Sequence, residues 1–523
     1  MEEMTMKKIY MLIVALVAAV SCSMLEENTD SFVSPANFYK SVSQARAGVN
    51  GCYIPLKSIY NYNMALAVEG CTDLMYCPSG TQDAQLDISP ANPRFGSTMW
   101  TQGYKGVRYC NDAIYAIENS EKLTEEQKAP LVAETKILRG LYYYLLTSFF
   151  GDVPFWTEPM TSFAVQRKIQ QLPRMSAAET RDWIITDLLS CVDALPQGRA
   201  YDVAQGTPEN AQRAGAAMGY VLIAKHAMWN ERWQDAHDAL VKVVDMYGAL
   251  DDRYPLSDVP FSAKNTPESI FEIQHTYSPG GLAVTGNYAC ACMPYNKSTT
   301  DPKKAIYDGV KIELIDTNAT PWNSFRPNPY FWQGLMPRTS KDKRRDNTIV
   351  WEYNGQVFEA FINRNADGSF KSYEYNRTPW LGPKFWCPKM YDTKDSNNYP
   401  VFRYADVLLM QAECLCMMDG KEQEAMTHLN YVKDRAGIIP YTVFRTKAKL
   451  LEEIQRERAR ELIGEFHRKF DLVRWGIWYQ SVFENNNYLK NRIRKCHEYY
   501  PIPDSEVGLS GGKLDNKAYD ANI

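Results

Sequence analysis

The run from Glu453 carries Glu453, Glu457, Glu461 and Glu465 four residues apart, on one face of a helix. A carboxylate ladder of this kind can hold metal ions in a helical bundle. Two carboxylates facing each other across a cleft, about 5–10 Å apart, can cleave a glycosidic bond. Arg456, Arg458, Arg460 and Arg468 interleave with the acids and predict i,i+3 and i,i+4 ion pairs, and no Glu-x-x-His accompanies them. A structural ion network is the expectation. The six histidines (His226, His237, His275, His428, His467 and His497) form no HExxH or HxxxH. Cys290-x-Cys292 and Cys414-x-Cys416 have one intervening residue, where a redox or zinc knuckle has two. No metal, cofactor or thiol-redox centre is therefore expected. Asn363-x-Asn365-x-Asp367-Gly368, five residues, then Glu374 has the spacing of a calcium loop, but Asn replaces the first hard ligand. Its flanks, Val357 to Ile362 and Phe370 to Tyr375, alternate like strands, so a hairpin turn is expected. The basic cluster Lys341 to Asp346 is short, interrupted by acids, and expected to be a solvated loop.

These residues sit in a chain of 523 residues with 23% charged and 45% hydrophobic residues and a net charge of −4. That is a globular composition without an electrostatic bias toward nucleic acid. Aromatics reach 13%. Lys7 and Lys8 precede a 12-residue apolar run, Ile9 to Val20, too short to span a bilayer but right for a signal sequence. It ends in Ala19-Val20-Ser21-Cys22, which reads as a lipoprotein cleavage site with Cys22 as the lipid anchor. The eleven remaining cysteines cannot all pair internally and are expected to be buried thiols.

The elements are mostly helical. Thr124 to Gln127 and Ser176 to Glu179 are capping boxes, opening Leu131 to Phe150 and a helix through Val192. Ala211 to Trp229 with Trp233 to Met246, and Tyr404 to Met418 with Glu422 to Arg435, form two similar helix pairs. Ala224, Ala236, Ala412 and Ala425 stand at their tight spots, the packing logic of tetratricopeptide-like units. Lys449 to Gly464 is a further helix. The fold class is α. Residues 271–400 differ: they are rich in Pro, Asn and Gly, with 20 aromatic residues in the 112 positions from Tyr288 to Tyr399. They read as a loop-rich insertion on the helical scaffold, where binding residues tend to sit.

Several separated motifs now agree. Ala47 to Tyr53 carries an Asn-Gly-x-Tyr element, and Trp100-x-x-x-Tyr104 leads to Asn111 to Ile114. Ala133 to Gly140 continues into Phe150-Gly151-Asp152-Val153-Pro154. Arg403 to Glu413, Leu429 to Gly437, Arg456 to Trp475 and Tyr500-Pro501-Ile502-Pro503 follow in order. The chain resembles the SusD/RagB family of outer-membrane nutrient-binding lipoproteins over nearly its whole mature length. It departs at Leu514 to Tyr519, which lacks the family's usual ending. Glu26 and Glu27, shortly after Cys22, resemble the surface-export signal of Bacteroidota lipoproteins. The resemblance implies a mostly helical scaffold of four tetratricopeptide-like pairs, a SusC-like TonB-dependent transporter as partner, and capture of oligosaccharide, or in some members peptide, without catalysis. The implied layout is a signal peptide over 1–21, an N-terminal helical part over 22–270, the insertion over 271–400 and a C-terminal part over 401–523. The implied location is the outer membrane, facing the cell exterior.

Sugar capture needs flat apolar platforms for CH faces and planar polar groups for hydroxyls. The family resemblance places the ligand face on the loops before the first helix block and on the insertion. Here that gives Asp73, Tyr76, Arg94 and Trp100 early, and Tyr295, Trp322, Trp332 and Trp380 later. Trp229, Trp233 and Trp475 lie on periodic helices and read as core. The rivals are a peptide-binding member, a glycoside hydrolase and a pure helical assembly scaffold.

Overall fold

The computed structural model describes residues 38–78, 82–205, 212–277, 284–293, 321–353, 356–358, 362–373, 378–387 and 390–520. Cys22, Tyr295, Glu374 and the signal segment lie outside them. Eleven major helices build the scaffold: α1 (Val42–Ile59), α2 (Tyr62–Val68), α3 (Phe95–Glu118), α4 (Glu125–Phe150), α5 (Ala177–Leu189), α6 (Ala216–Trp229), α7 (Trp233–Tyr247), α8 (Tyr404–Met417), α9 (Glu422–Arg435), α10 (Lys447–Leu462) and α11 (Arg468–Arg474). Among the described residues, no helix is long and apolar enough to cross a membrane.

The helices form where caps and burial agree. Thr124 caps α4 reciprocally with Gln127. Ser176 caps α5 by accepting from the Glu179 N–H, but its hydroxyl donates to the Glu179 carboxylate, so the second box is only half formed. Helices α3 and α4 pack as an antiparallel pair, closely enough that a Cβ on Gly106 would lie 2.2 Å from the Tyr142 ring. The pairs α6/α7 and α8/α9 pack on each other through α7 and α8. Tyr247 stacks on Tyr404 at 4.9 Å, and Ala224, Ala236, Ala412 and Ala425 are wholly buried. Side-by-side contacts from α1 through α3, α4, α5, α6, α7 and α8 to α10 make one continuous helical layer.

The insertion leaves and returns at one place. Strand Ser269–Ile273 pairs antiparallel with Tyr399–Arg403, so residues between them are closed off by a single ladder. Inside it lie short two-stranded ladders, including Ile349–Val350 with Trp380–Leu381, and Ile362–Arg364 with Phe370–Tyr373. The last is the hairpin expected at the calcium-like spacing. Gly368 takes φ +83°, and the Asp367 carboxylate accepts from the Ser369 N–H and hydroxyl.

The insertion's aromatic excess has a different cause from the one the composition suggested. Tyr288, Phe325, Phe331, Trp332, Trp351, Phe358, Trp380, Phe385, Trp386 and Tyr399 are all buried. A segment without helical periodicity cannot line up Leu and Val on one face, so large rings fill its irregular core. Tyr288 alone packs on Phe261, Phe325, Phe385, Tyr399 and Phe466.

The carboxylate ladder is an ion network, but most of its partners come from other elements. Glu461 receives Arg344 at 2.5 Å, Arg403 at 2.6 Å and Arg435 at 2.6 Å. Glu465 receives Arg403 at 2.7 Å and Lys384 at 2.6 Å. Within the helix, Arg456 pairs with Glu453, and Arg460 with both Glu453 and Glu457. Arg458 turns to Asp406 and Asp471, and Arg468 to Asp73. Burial alone would raise the Glu461 carboxyl, yet Arg435, Arg403 and Arg344 hold it well below its ordinary value. Arg344 and Lys384 belong to the insertion, so the network fastens insertion to scaffold. Arg344 and Asp342 are therefore buried, which corrects the reading of Lys341 to Asp346 as a solvated loop.

Candidate functional site

Five of the eight residues proposed for ligand contact are packed into the protein. Both Asp73 carboxylate oxygens accept from Arg468, at 2.8 and 2.6 Å, and one also accepts from Ser481 at 2.8 Å. Tyr76 is stacked on Tyr488 at 4.7 Å, with Tyr373 beside it. Trp100 lies edge-on between Tyr104 and Phe150. Trp332 meets Trp351 edge-on at 5.3 Å, and Trp380 covers Phe358 at 4.5 Å. With these side chains 0–5% exposed, none presents a face to a ligand. Loop position in the sequence suggested otherwise because it cannot register long-range partners such as Arg468 and Tyr488. Arg94 takes φ 53° ahead of α3 and pairs with Asp87 at 3.1 Å. Its neighbourhood is the C-terminal segment, where the Asp504 N–H donates to the Pro90 carbonyl.

Trp322 is different: it is 38% exposed, and its backbone is tied to the chain around Cys290. Its N–H donates to the Cys290 carbonyl at 2.8 Å, and its ring meets the Tyr62 ring edge-on at 5.3 Å. Tyr62 begins α2, whose N-cap Asn61 accepts from the Asn63 and Met64 N–H groups. Downstream, the Phe325 N–H donates to Ala291, and Arg326–Pro327 pairs with Met75–Tyr76. The segment before Trp322's acceptor is locked in turn. Gly286 and Asp395 exchange backbone hydrogen bonds, and the Ala289 N–H donates to the Asp395 carboxylate at 3.0 Å. The Asn287 and Tyr288 N–H groups both donate to the Tyr399 hydroxyl. A Cβ on Gly286 would lie 2.1 Å from that hydroxyl, so only glycine permits the approach. Burial pushes the Asp395 carboxyl up to about 7 against the pull of its two backbone donors.

The same segment supports a second exposed aromatic surface. Tyr391 is 52% exposed and lies parallel to Tyr277, with centroids 6.1 Å apart and planes 12° apart. Mutual backbone bonds between Tyr391 and Lys394 form the tight turn that projects it, next to Asp392 at φ 51°. Tyr62, Tyr277 and Tyr391 were missed by sequence reasoning. The turn chemistry of Asp392-Thr393-Lys394-Asp395 was the one available signal for Tyr391. Arranged this way, Trp322–Tyr62 and Tyr391–Tyr277 offer flat apolar rings with polar groups at their edges. Each pair is a partly exposed aromatic surface suited to stacking. Of the ladder acids, Glu457, Glu461 and Glu465 are buried and paired with arginines, Glu465 also with Lys384, while Glu453 is half-buried and pairs with Lys433 at 2.6 Å.

Two family models match the sequence. One, described as the SusD family, covers residues 267–519, and the other, described as starch-binding associating with outer membrane, covers residues 25–218. The chain belongs to the SusD family. The SusD-like protein P25 of Formosa agariphila is 25% identical to it over 98% of this chain and 99% of its own. A SusD homologue from Bacteroides thetaiotaomicron shares the fold with a TM-score of 0.73, at 21% identity over 94% of this chain and 99% of that one. Surface glycan-binding protein A from Bacteroides thetaiotaomicron, solved in complex with laminarihexaose, superposes with a TM-score of 0.66. It is 20% identical over 91% of this SusD-like chain and 99% of its own. The continuous helical layer described above is thus the SusD-like scaffold.

Proposed function

We propose that this protein is a cell-surface lipoprotein, anchored through Cys22 in the outer membrane, that captures oligosaccharide and hands it to a SusC-like TonB-dependent transporter. It performs no chemistry on the ligand. The observation that carries the reading is Trp322, a large ring left 38% exposed while its backbone and its neighbours are tied down. Leaving an indole in water is costly, and anchoring its backbone lowers the entropy penalty of ordering it on binding. The Tyr391–Tyr277 pair is a second exposed aromatic surface that supports the reading. Family membership and the laminarihexaose-bound relative favour a saccharide. A screen of the mature protein, from Ser23 onward, against plant, host and microbial glycans tests it. Binding of an oligosaccharide that Trp322→Ala weakens at least tenfold is expected, as for a buried aromatic anchor. No binding to any glycan, or release of a cleaved product, overturns it.

A further inference from the structure

A second cleft lies at the root of the insertion, where α1 meets strand Ser269–Ile273. It encloses about 370 Å³ and is lined by Asn50, Tyr53, Lys57, Gln212, Phe271 and Gln274, among others. Volumes in this range suit a small-molecule ligand. Its polar groups are unevenly spent. Gln274 is used up, bonded through its oxygen and its nitrogen to Asn265, and through its oxygen to Asn398. The Glu272 carboxylate turns to the Asn265 N–H at 3.0 Å and the Asn398 amide at 2.7 Å. Arg213 pairs with Glu134 at 2.7 Å, a carboxylate it shares with Arg46.

What remains are donors. Gln212 is 5% exposed, and its oxygen is fixed by accepting from the Ser269 hydroxyl at 2.7 Å. Gln212 lines the cleft, and its amide nitrogen is buried without an acceptor among the described residues. A buried donor in that state costs about 1–3 kcal/mol until something accepts from it. Asn50 gives its oxygen to Arg213 at 2.8 Å, which turns its amide N–H₂ outward. Lys57, exposed in the last turn of α1, has no ion pair among the described residues. Three donors, one of them charged, stand beside the apolar edges of Tyr53 and Leu56.

We propose that this cleft is a separate subsite for one acidic sugar residue, its carboxylate on Lys57 and its ring oxygens on the Gln212 and Asn50 amides. The class of ligand rests on the glycan-capture reading; the donor-rich cleft does not. Ligand-observed NMR and competition titrations with glucuronate, its methyl ester and glucose test it, using wild type, Lys57→Ala, Gln212→Leu and Trp322→Ala. Glucuronate is expected to bind about tenfold tighter than glucose or the ester, as a charge-assisted hydrogen bond requires. Lys57→Ala should erase that preference, Gln212→Leu should weaken all three sugars, and Trp322→Ala should leave glucuronate binding unchanged. Lys57 is exposed, so its variant tests the idea without threatening the fold. Absence of glucuronate binding, equal affinity for the ester, or binding insensitive to both cleft variants overturns the proposal. Glucuronate binding that persists while no oligosaccharide binds would instead sink the glycan-capture reading and leave the cleft standing.

Discussion

Replacing Asp73 by Ala separates a structural carboxylate from a ligand-binding one. Asp73 is wholly buried, and the Arg468 guanidinium it holds has a side chain only 7% exposed. Removing the carboxylate leaves that cation in a desolvated site, with the Ser481 hydroxyl also losing its acceptor. Breaking a buried pair from one side costs about 3–5 kcal/mol. An unfolding entropy of about 2.1 cal/mol/K per residue gives roughly 1 kcal/mol/K for a cooperative unit of this size. The expected loss in Tm is then about 3–5 °C. Calorimetry and guanidinium titration of both proteins, followed by glycan titration at 15 °C, check it. The ligand affinity of Asp73→Ala should stay within about twofold of wild type, because its carboxylate is spent on Arg468 and Ser481. Adding Arg468→Met should recover much of the lost stability, since hydrophobic replacement of a buried pair is often neutral. An Asp73→Ala protein with unchanged Tm and glycan affinity reduced tenfold would falsify the placement of Asp73 behind the surface.

Further outcomes follow from the same geometry. Gly106→Val forces a side chain into the Tyr142 ring and should destabilise the α3/α4 pair by about 1–3 kcal/mol in denaturant titrations. Burial lowers His226 to about 3, His275 to about 4 and His467 to about 4. These groups are neutral when folded but take up protons below about 6.5 when unfolded, so their stabilising contribution is lost as pH falls from about 6.5 toward 4. His226→Gln should flatten part of that acid limb in a pH series of melts. Glu69 moves the other way: burial raises it to about 8 despite the Gly464, His467 and Arg468 N–H groups. The folded state keeps a proton that the unfolded state has released, so this contribution is lost as pH rises from about 4.5 to 8, and Glu69→Gln should remove that slope.

The helical scaffold was legible because its signals are local. Capping residues, 3.6-residue periodicity and small residues at crossings put Glu422–Arg435 at its observed bounds, and Trp233–Met246, Tyr404–Met418 and Lys449–Gly464 within two residues of theirs. The ion network was legible in kind but not in partners, because Arg344 and Lys384 reach Glu461 and Glu465 from more than 80 residues away in sequence. The site was least legible. Exposure of an aromatic depends on what the distant chain lays over it. Trp332 sits among the same prolines as Trp322, yet Trp351 covers Trp332 while Trp322 keeps an open face.

The most direct measurement is calorimetric titration of the mature protein with laminarihexaose and a panel of other oligosaccharides, run in parallel with Trp322→Ala and Tyr391→Ala. Saturable binding of at least one oligosaccharide is expected, weakened at least tenfold by Trp322→Ala and several-fold by Tyr391→Ala, with the sugar recovered uncleaved. Binding that both variants leave untouched would contradict the assignment of the ligand to this face.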